Sequence, residues 1–265
     1  MLSKSRLTLL RSLRQKKGRR DHSLFVAEGS KLTLELLHSS FRVETIYANR
    51  EWLEQNRAVA GKAQELIEID NDSLSRISSL VSPQDVLAVV RIPERSLSPA
   101  GLKNEFTLVL DGIRDPGNMG TIIRIADWFG IRNIICSPDS AETWNPKVVQ
   151  ASMGSITRVN VYEESLPEFF GTLQQAQSID PFSLPVFGTF LEGENIYSCT
   201  LPEAGILVIG NEGSGIRPET ERFISQKITI PSFAANGAES LNAAVATAIA
   251  CSEFRRSSLT GSRPA

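Results

Sequence analysis

Three short stretches hold the side chains best placed to do chemistry. Asn118 and Arg124 lie in DPGNMGTIIR, Asn211 and Glu212 in VIGNEGSGIRPE, and Glu239, Ser240 and Asn242 in AESLNAA. Each of the three stretches belongs to a loop that follows an apolar run read as a strand. In open α/β sheets ligands bind beyond the carboxyl ends of the strands, so all three are candidates for one site. Gly117, Gly120, Gly210, Gly213 and Gly215 let the backbone turn tightly or approach a ligand, which suits amides that cradle a bound molecule. Each stretch also has a plain structural reading. Asn118 can cap a helix, Arg124 can pair with Asp127 at i+3, and Pro218 can open the helix after an ordinary turn. The alanines after Asn242 can serve close packing alone. Arg124 is the hardest to absorb, because isoleucines flank it on both sides.

Several site chemistries are excluded. The order GxxGxG at Gly210, Gly213 and Gly215 is not the dinucleotide order GxGxxG, and no GxxxxGK[ST] occurs,. A nicotinamide-dependent oxidoreductase, the rival enzyme class, therefore lacks its fingerprint. With two histidines, three scattered cysteines and no CxxC, neither a Cys/His zinc site nor a disulfide framework is expected, and no metal is assigned. No apolar run approaches a membrane span, and free cysteines fit a reducing cytoplasm. Charge is uneven. Residues 1–95 hold 16 Lys and Arg against 12 Asp and Glu, a net of +4, which leaves −6 for the remainder of a chain whose total is −2. The first twenty residues carry eight bases and no acid, the sign a phosphate backbone needs. A solvated helix face and a transit peptide are the competing readings of that run.

The elements that must position these groups alternate between strand and helix. From Ser23 to Arg91, LFVAEG, VETIYA, ELIEI and DVLAVVRI read as strands, separated by helix-like KLTLELLHSS, EWLEQNRAVAGKA and NDSLSRISSL. This is a small α/β domain over residues 1–95. Residues 96–105, with proline, serine and glycine, read as a linker. From FTLVL onward, strands NIIC, TRVNVY, LPVFGTF, GILVIG and KITIP alternate with helical segments, and an alanine-rich helix closes the chain. That alternation predicts a mostly parallel sheet covered on both faces over residues 106–256. Residues 257–265 read as a flexible tail.

Taken together and in order, Asn118-x-Gly120-x3-Arg124, Gly210-Asn211-Glu212-Gly213-x-Gly215, and Ile230-Pro231 followed by Glu239-Ser240-Leu241-Asn242 resemble the three motifs of the SpoU (TrmH) family. These are S-adenosylmethionine-dependent RNA ribose 2′-O-methyltransferases of the SPOUT superfamily. NPKVVQASMG (145–154) resembles the family between its first two motifs, and KKGRRDHSLFVAEGSKL resembles the start of its small RNA-binding domain. The resemblance implies a Rossmann-like parallel-sheet catalytic domain with a C-terminal trefoil knot, and a homodimer. It also implies S-adenosylmethionine as cofactor and structured RNA as partner, ribosomal rather than transfer RNA by analogy with members that carry the extra domain.

Residue by residue, the resemblance implies catalytic work for Arg124, Asn118, Glu212, Ser240 and Asn242. In the family the matching arginine is catalytic, sometimes as general base. A guanidinium stays protonated, so Arg124 is better suited to hold a phosphate and stabilise the nascent alkoxide. Glu212 is the alternative base, or a partner that positions Arg124 in the dimer. Cofactor contacts fall to Gly210, Asn211, Gly213, Ile230, Leu241 and Asn242, with Gly188 and Thr189 bordering the pocket. Lys16, Lys17, Arg19 and Arg20 are the expected phosphate contacts of the RNA-binding domain. Two departures stand out. Ala243-Ala244-Val245-Ala246 replaces a valine- and serine-containing stretch, and AANGAE before Ser240 is longer than usual. A non-catalytic RNA-binding or ribosome assembly protein is the remaining rival. Intact Asn118, Arg124, Glu212 and Asn242 argue against it.

Overall fold

The basic N-terminal run is helical. In a computed structural model, which describes residues 2–179, 182, 184–233 and 239–260, it forms α1 (Lys4–Ser12) and α2 (Lys16–His22). The Ser3 hydroxyl caps α1 by accepting from the Arg6 amide, satisfying one of the free first-turn donors. Gly18 lets the two helices meet, since a Cβ there would lie 2.1 Å from the Ser12 carbonyl oxygen. Leu10 and Leu13 are buried with Val26, Tyr47, Ile69 and Leu74. The run is therefore a packed element with a charged outer face.

The chain continues through β1 (Leu24–Glu28), α3 (Ser30–His38), β2 (Val43–Ala48), α4 (Arg50–Ala60), β3 (Glu65–Glu68), α5 (Asn71–Ile77) and β4 (Val86–Arg91). These strands form a mixed sheet of order β1-β4-β2-β3, with β4 antiparallel to both neighbours and β2 parallel to β3. Asn49 and Asp70 cap α4 and α5 through their side chains. Glu28, at the end of β1, is buried and accepts from the Ser78 hydroxyl and from the Ser79 amide at 2.9 Å, so its charge is compensated by hydrogen bonds.

Two compact units divide the chain, and the boundary departs from the expected continuous second domain. The first unit comprises residues 1–94 and 142–157, the second residues 95–141 and 158–265. Segment 142–157 joins the first unit for a physical reason. The Trp144 ring lies 4.8 Å from that of Phe25 and 6.0 Å from that of Phe41, and the helix Pro146–Ala151 packs on β1. Arg19 completes this attachment. It is 2% exposed, donates from Nε to Glu142 at 3.0 Å, pairs with the same carboxylate through Nη2, and donates from Nη1 to the Leu13 carbonyl at 2.8 Å. Arg19 is therefore corrected from phosphate contact to structural cation. Lys17 and Arg20 stay exposed and Lys16 is half-buried.

In the second unit β5 (Phe106–Asp111) starts a sheet at its middle. After it come α6 (Pro116–Trp128), β6 (Asn133–Cys136), the first unit's Pro146–Ala151 (α7), β7 (Asn160–Glu163), α8 (Leu166–Ile179) and β8 (Val186–Asn195). β9 (Gly205–Gly210), α9 (Pro218–Glu221), β10 (Gln226–Thr229) and α10 (Ala243–Thr260) complete it. The order is β10-β8-β9-β5-β6-β7, and every neighbouring pair is parallel. The fold is thus mixed α/β with a parallel sheet and a separate N-terminal domain. Parallel strands covered by helices read as continuous apolar runs, as in FTLVL and GILVIG, whose residues are buried almost throughout. Leu102, inside the stretch read as a linker, is buried against this core. Helix α10 extends into the expected tail, and residues 261–265 lie outside the described residues.

The Arg19–Glu142 pair sets a test of the first unit. Arg19→Met keeps the bulk and leaves Glu142, only 12% exposed at its side chain, without its cation. The expected cost is about 3 kcal/mol, read as a lower urea midpoint in circular dichroism. An unchanged midpoint would show that the pair contributes nothing net.

Candidate functional site

The site is built at the carboxyl edge of the second unit's sheet, where β5 and β9 are neighbours. From β5 the chain runs outward through β6 and β7. It then crosses to the other side for β8, and β9 fills the gap beside β5. Such a reversal of strand order is where open parallel sheets leave a crevice. After β5, Gly112 turns the chain at φ +75°. Asp115 caps α6, its Oδ1 accepting from the Asn118 amide at 2.8 Å, and Pro116 takes the first turn, where no amide is needed. Asn118 is therefore not the cap, and its side chain is available for other bonds.

That side chain joins the three motifs. Asn118 Nδ2 donates to Glu212 Oε1, and Asn118 Oδ1 accepts from Asn242 Nδ2 at 2.9 Å. The Asn242 Oδ1 accepts in turn from the Ala244 and Val245 amides at 3.0 and 3.3 Å, so Asn242 caps α10. Asn211 adds a second tie between loops, donating to the Gly112 carbonyl at 2.9 Å. Residues separated by about a hundred positions in sequence thus meet in one hydrogen-bonded junction.

The loop after β9 is closed at its neck. Asn211 and Gly215 exchange backbone hydrogen bonds of 3.1 and 2.9 Å, while the Asn211 Oδ1 gathers the amides of Gly213 and Ser214. Gly210 has no alternative, because a Cβ there would lie 2.4 Å from the Gly215 carbonyl carbon. Gly215 holds φ +67°, a left-handed conformation open to glycine.

Beside this loop lies a cavity of about 1170 Å³. Among the expected residues, Thr189, Gly210, Asn211, Glu212, Gly213, Ile230, Ser240 and Leu241 line it. Gly188 does not. It sits beneath, where a Cβ would meet the side chains of Ile224 and Phe190 at 2.4 and 2.7 Å. Asn118, Arg124 and Asn242 are likewise not part of the wall. The cavity holds three carboxylates, Glu192, Glu212 and Glu221, against one amine, Lys227. Lys227 is already paired with Glu221 at 2.5 Å and lies over the Phe190 ring. A glycine-lined wall with excess negative charge suits a flat, hydrogen-bonding ligand that carries positive charge.

The sequence does not single out Glu192 or Lys227, and Glu192 lies past the apolar run that ends at Phe190. β8 in fact runs on to Asn195, and Gly193 lets it pass β10 closely, with a Cβ there 2.9 Å from the Lys227 carbonyl. The alternation of LEGEN was the available signal. Residues 234–238 of the AANGAE loop lie outside the described residues.

Arg124 is exposed on α6 and, among the described residues, makes no hydrogen bond or ion pair. Its expected i+3 partner is engaged elsewhere, as Asp127 accepts from Arg158 at 2.9–3.0 Å. The cysteines offer no competing nucleophile at α10, where burial pushes the Cys251 thiol up to about 12. Among the described residues no group of three or more His, Cys, Asp or Glu could hold a metal ion.

A family model described as the SpoU rRNA Methylase family matches residues 105–252, and one described as an MRM3-like substrate binding domain matches residues 4–88. A Bacillus subtilis 23S rRNA (guanosine(2553)-2′-O)-methyltransferase is 29% identical over 240 residues, covering 90% of this chain and 91% of the relative. A Porphyromonas gingivalis structure assigned to the TrmH family of RNA methyltransferases superposes with a TM-score of 0.86 at 39% identity, over 97% of this chain and 99% of that one. An AdoMet-bound rRNA methyltransferase from Sinorhizobium meliloti gives 0.83 at 30% identity, over 97% and 96%.

Proposed function

The chain belongs to the SpoU rRNA methylase family, and on that premise we propose that it methylates a ribose 2′-hydroxyl of structured ribosomal RNA, with S-adenosylmethionine as methyl donor. The observation that carries this reading is the junction of Asn118, Glu212 and Asn242 beside a glycine-lined cavity. The cavity fits the donor on chemical grounds. Its backbone walls offer hydrogen bonds to a purine, its acidic excess favours a sulfonium, and the Gly210 wall leaves no room for a side chain.

When bound, the donor supplies an electrophilic methyl group. Transfer would form a C–O bond at the ribose oxygen and break the donor's C–S bond, and the hydroxyl proton would have to be taken up. The chain's residues orient the groups, take the proton and stabilise the oxygen. Arg124 is exposed on α6 and makes no hydrogen bond or ion pair among the described residues, and so is assigned to the phosphate and the nascent alkoxide,. Glu212 accepts from Asn118 through one oxygen, and its second makes no hydrogen bond among the described residues, so Glu212 is assigned the proton. Asn118 and Asn242 position Glu212, and Ser240 faces the cavity from the third loop.

A homodimer is part of the proposal. Helices α6 and α10 pack together, and each exposes a large apolar side chain, Trp128 at 85% on α6 and Val245 at 47% on α10. Exposed large apolar side chains on two adjacent helices suit an interaction surface. The first unit is assigned to RNA, with Lys16, Lys17 and Arg20 as phosphate contacts. A cytoplasmic setting goes with this reading, and no described helix is long and apolar enough to cross a membrane.

The primary test is nucleoside mass spectrometry after incubation with S-adenosylmethionine and unmodified ribosomal or transfer RNA. A ribose methyl gained on ribosomal RNA is expected, and Arg124→Ala should lower its rate by about 10²–10³-fold while leaving donor affinity unchanged. A methyl on a base, or an undiminished Arg124→Ala rate, sinks the assignment. Replacing Lys16, Lys17 and Arg20 together by alanine should weaken RNA binding and lower the salt slope by about 2–3; an unchanged slope refutes the RNA surface. In sedimentation, wild type should run as a dimer and Trp128→Glu as a monomer. A wild-type monomer at micromolar concentration would overturn the dimer.

A further inference from the structure

Beneath the glycine loop lies a chain of four charged side chains that the assigned catalytic and donor-binding residues do not include. Asp111 closes β5 with its side chain fully buried. An isolated buried carboxylate is strongly disfavoured, and Arg217 compensates it. The Arg217 amide donates to Asp111 Oδ2 at 3.0 Å and its Nε to Oδ1 at 2.6 Å. The same guanidinium reaches Asp139, Nη2 to Oδ1 at 3.3 Å. Asp139 also accepts from the Ser137 hydroxyl at 2.7 Å and from Arg114 Nη2 at 3.1 Å. Burial works to raise the Asp139 carboxyl, but the bonds from Ser137 and Arg114 and the charge of Arg217 outweigh it and hold the group below the ordinary carboxylate range. The bond to Asp111, opposed by partial burial, leaves Arg217 above its ordinary value.

This chain of charges ends the glycine loop. Residues 211–215 are closed at the neck by the Asn211–Gly215 bridge, and two residues later Arg217 fastens the exit strand to Asp111. The loop's entry strand, β9, is already registered on β5, with Gly210 opposite Asp111. Both ends are thus tied to the same residue of β5, one by sheet pairing and one by the guanidinium fork. Glu212 and the amides of Gly213 and Ser214 lie between these ties. Asp139 and Arg114 extend the network to the turn before α6, which carries Asn118.

We propose that Arg217 is a positioning residue. Through Asp111 and Asp139 it fixes residues 211–216 in the shape that binds the methyl donor and aims Glu212. It touches no reacting atom, and it acts through the loop. This inference rests on the methyltransferase reading only for the identity of the donor, since the loop's order is a property of the free protein.

Two readouts test it on the full chain, one of them free of activity. Hydrogen exchange of the ligand-free protein should show amides 211–216 losing protection at least ten-fold in Arg217→Gln, with the sheet amides of β5 and β9 unchanged. Calorimetry with S-adenosylmethionine should show affinity lower by about ten-fold, and Arg217→Lys, which keeps a cation beside Asp111, should recover part of both effects. A merely structural arginine would lower the melting temperature while leaving loop exchange and affinity at wild-type values in the protein that remains folded. That result overturns the proposal. Where Arg217→Gln does not fold, Asp139→Ala decides on the same two readouts, because that side chain is 37% exposed and its loss removes the contact from Arg217 Nη2. Loop exchange unchanged in a folded Asp139→Ala then refutes the proposal. A wild type that fails to bind S-adenosylmethionine contradicts the methyltransferase reading instead, and the exchange experiment still decides the role of Arg217.

Discussion

One primary amide holds the site together. Asn118 donates from its nitrogen to Glu212 and accepts at its oxygen from Asn242. No other side chain of that length offers one donor and one acceptor on the same planar group. Aspartate would accept twice and repel Glu212, and glutamine would carry the amide a methylene too far. The rest of the second unit is arranged so that this amide can be reached from both sides. The Asp115 cap frees Asn118 from capping α6, the bridged neck of the glycine loop presents Glu212, and Asn242 caps α10 with the oxygen that its amide nitrogen leaves free.

The parallel register places the three loops within reach. β5 pairs with β9 over six residues, from Phe106 opposite Gly205 to Asp111 opposite Gly210. A slip of one residue would move Asp111 off Gly210 and turn each side chain to the other face. The Asp111–Arg217 pair, buried at its carboxylate and partly exposed at its guanidinium, opposes such a slip. A buried ion pair is a weak source of net stability, and specificity of arrangement is its better attested use.

Much of this was legible in the chain. FTLVL and GILVIG announced buried parallel strands by continuous apolar composition, and glycine after strand marked the loops. Other features were hidden because they depend on partners distant in sequence. Nothing local to Arg19 distinguishes it from Lys17, and its burial follows from Glu142, more than a hundred residues away. Segment 142–157 reads as part of the second domain because it is contiguous with it, yet Trp144 finds its apolar partners in Phe25 and Phe41. The extension of β8 past Phe190 was obscured by charged residues, which an exposed strand tolerates and a buried one does not.

Arg124 is the clearest case of local chemistry overridden by tertiary structure. Asp127 stands at helical spacing for a surface ion pair, an interaction that contributes a few tenths of a kcal/mol when it forms. Arg158 takes that carboxylate in a two-pronged contact instead, which a planar guanidinium fork makes stronger and more directional than a single bond. The consequence is an exposed arginine on the helix that carries Asn118, unpaired among the described residues. By taking that carboxylate, Arg158 leaves Arg124 without the ion pair that helical spacing offers it.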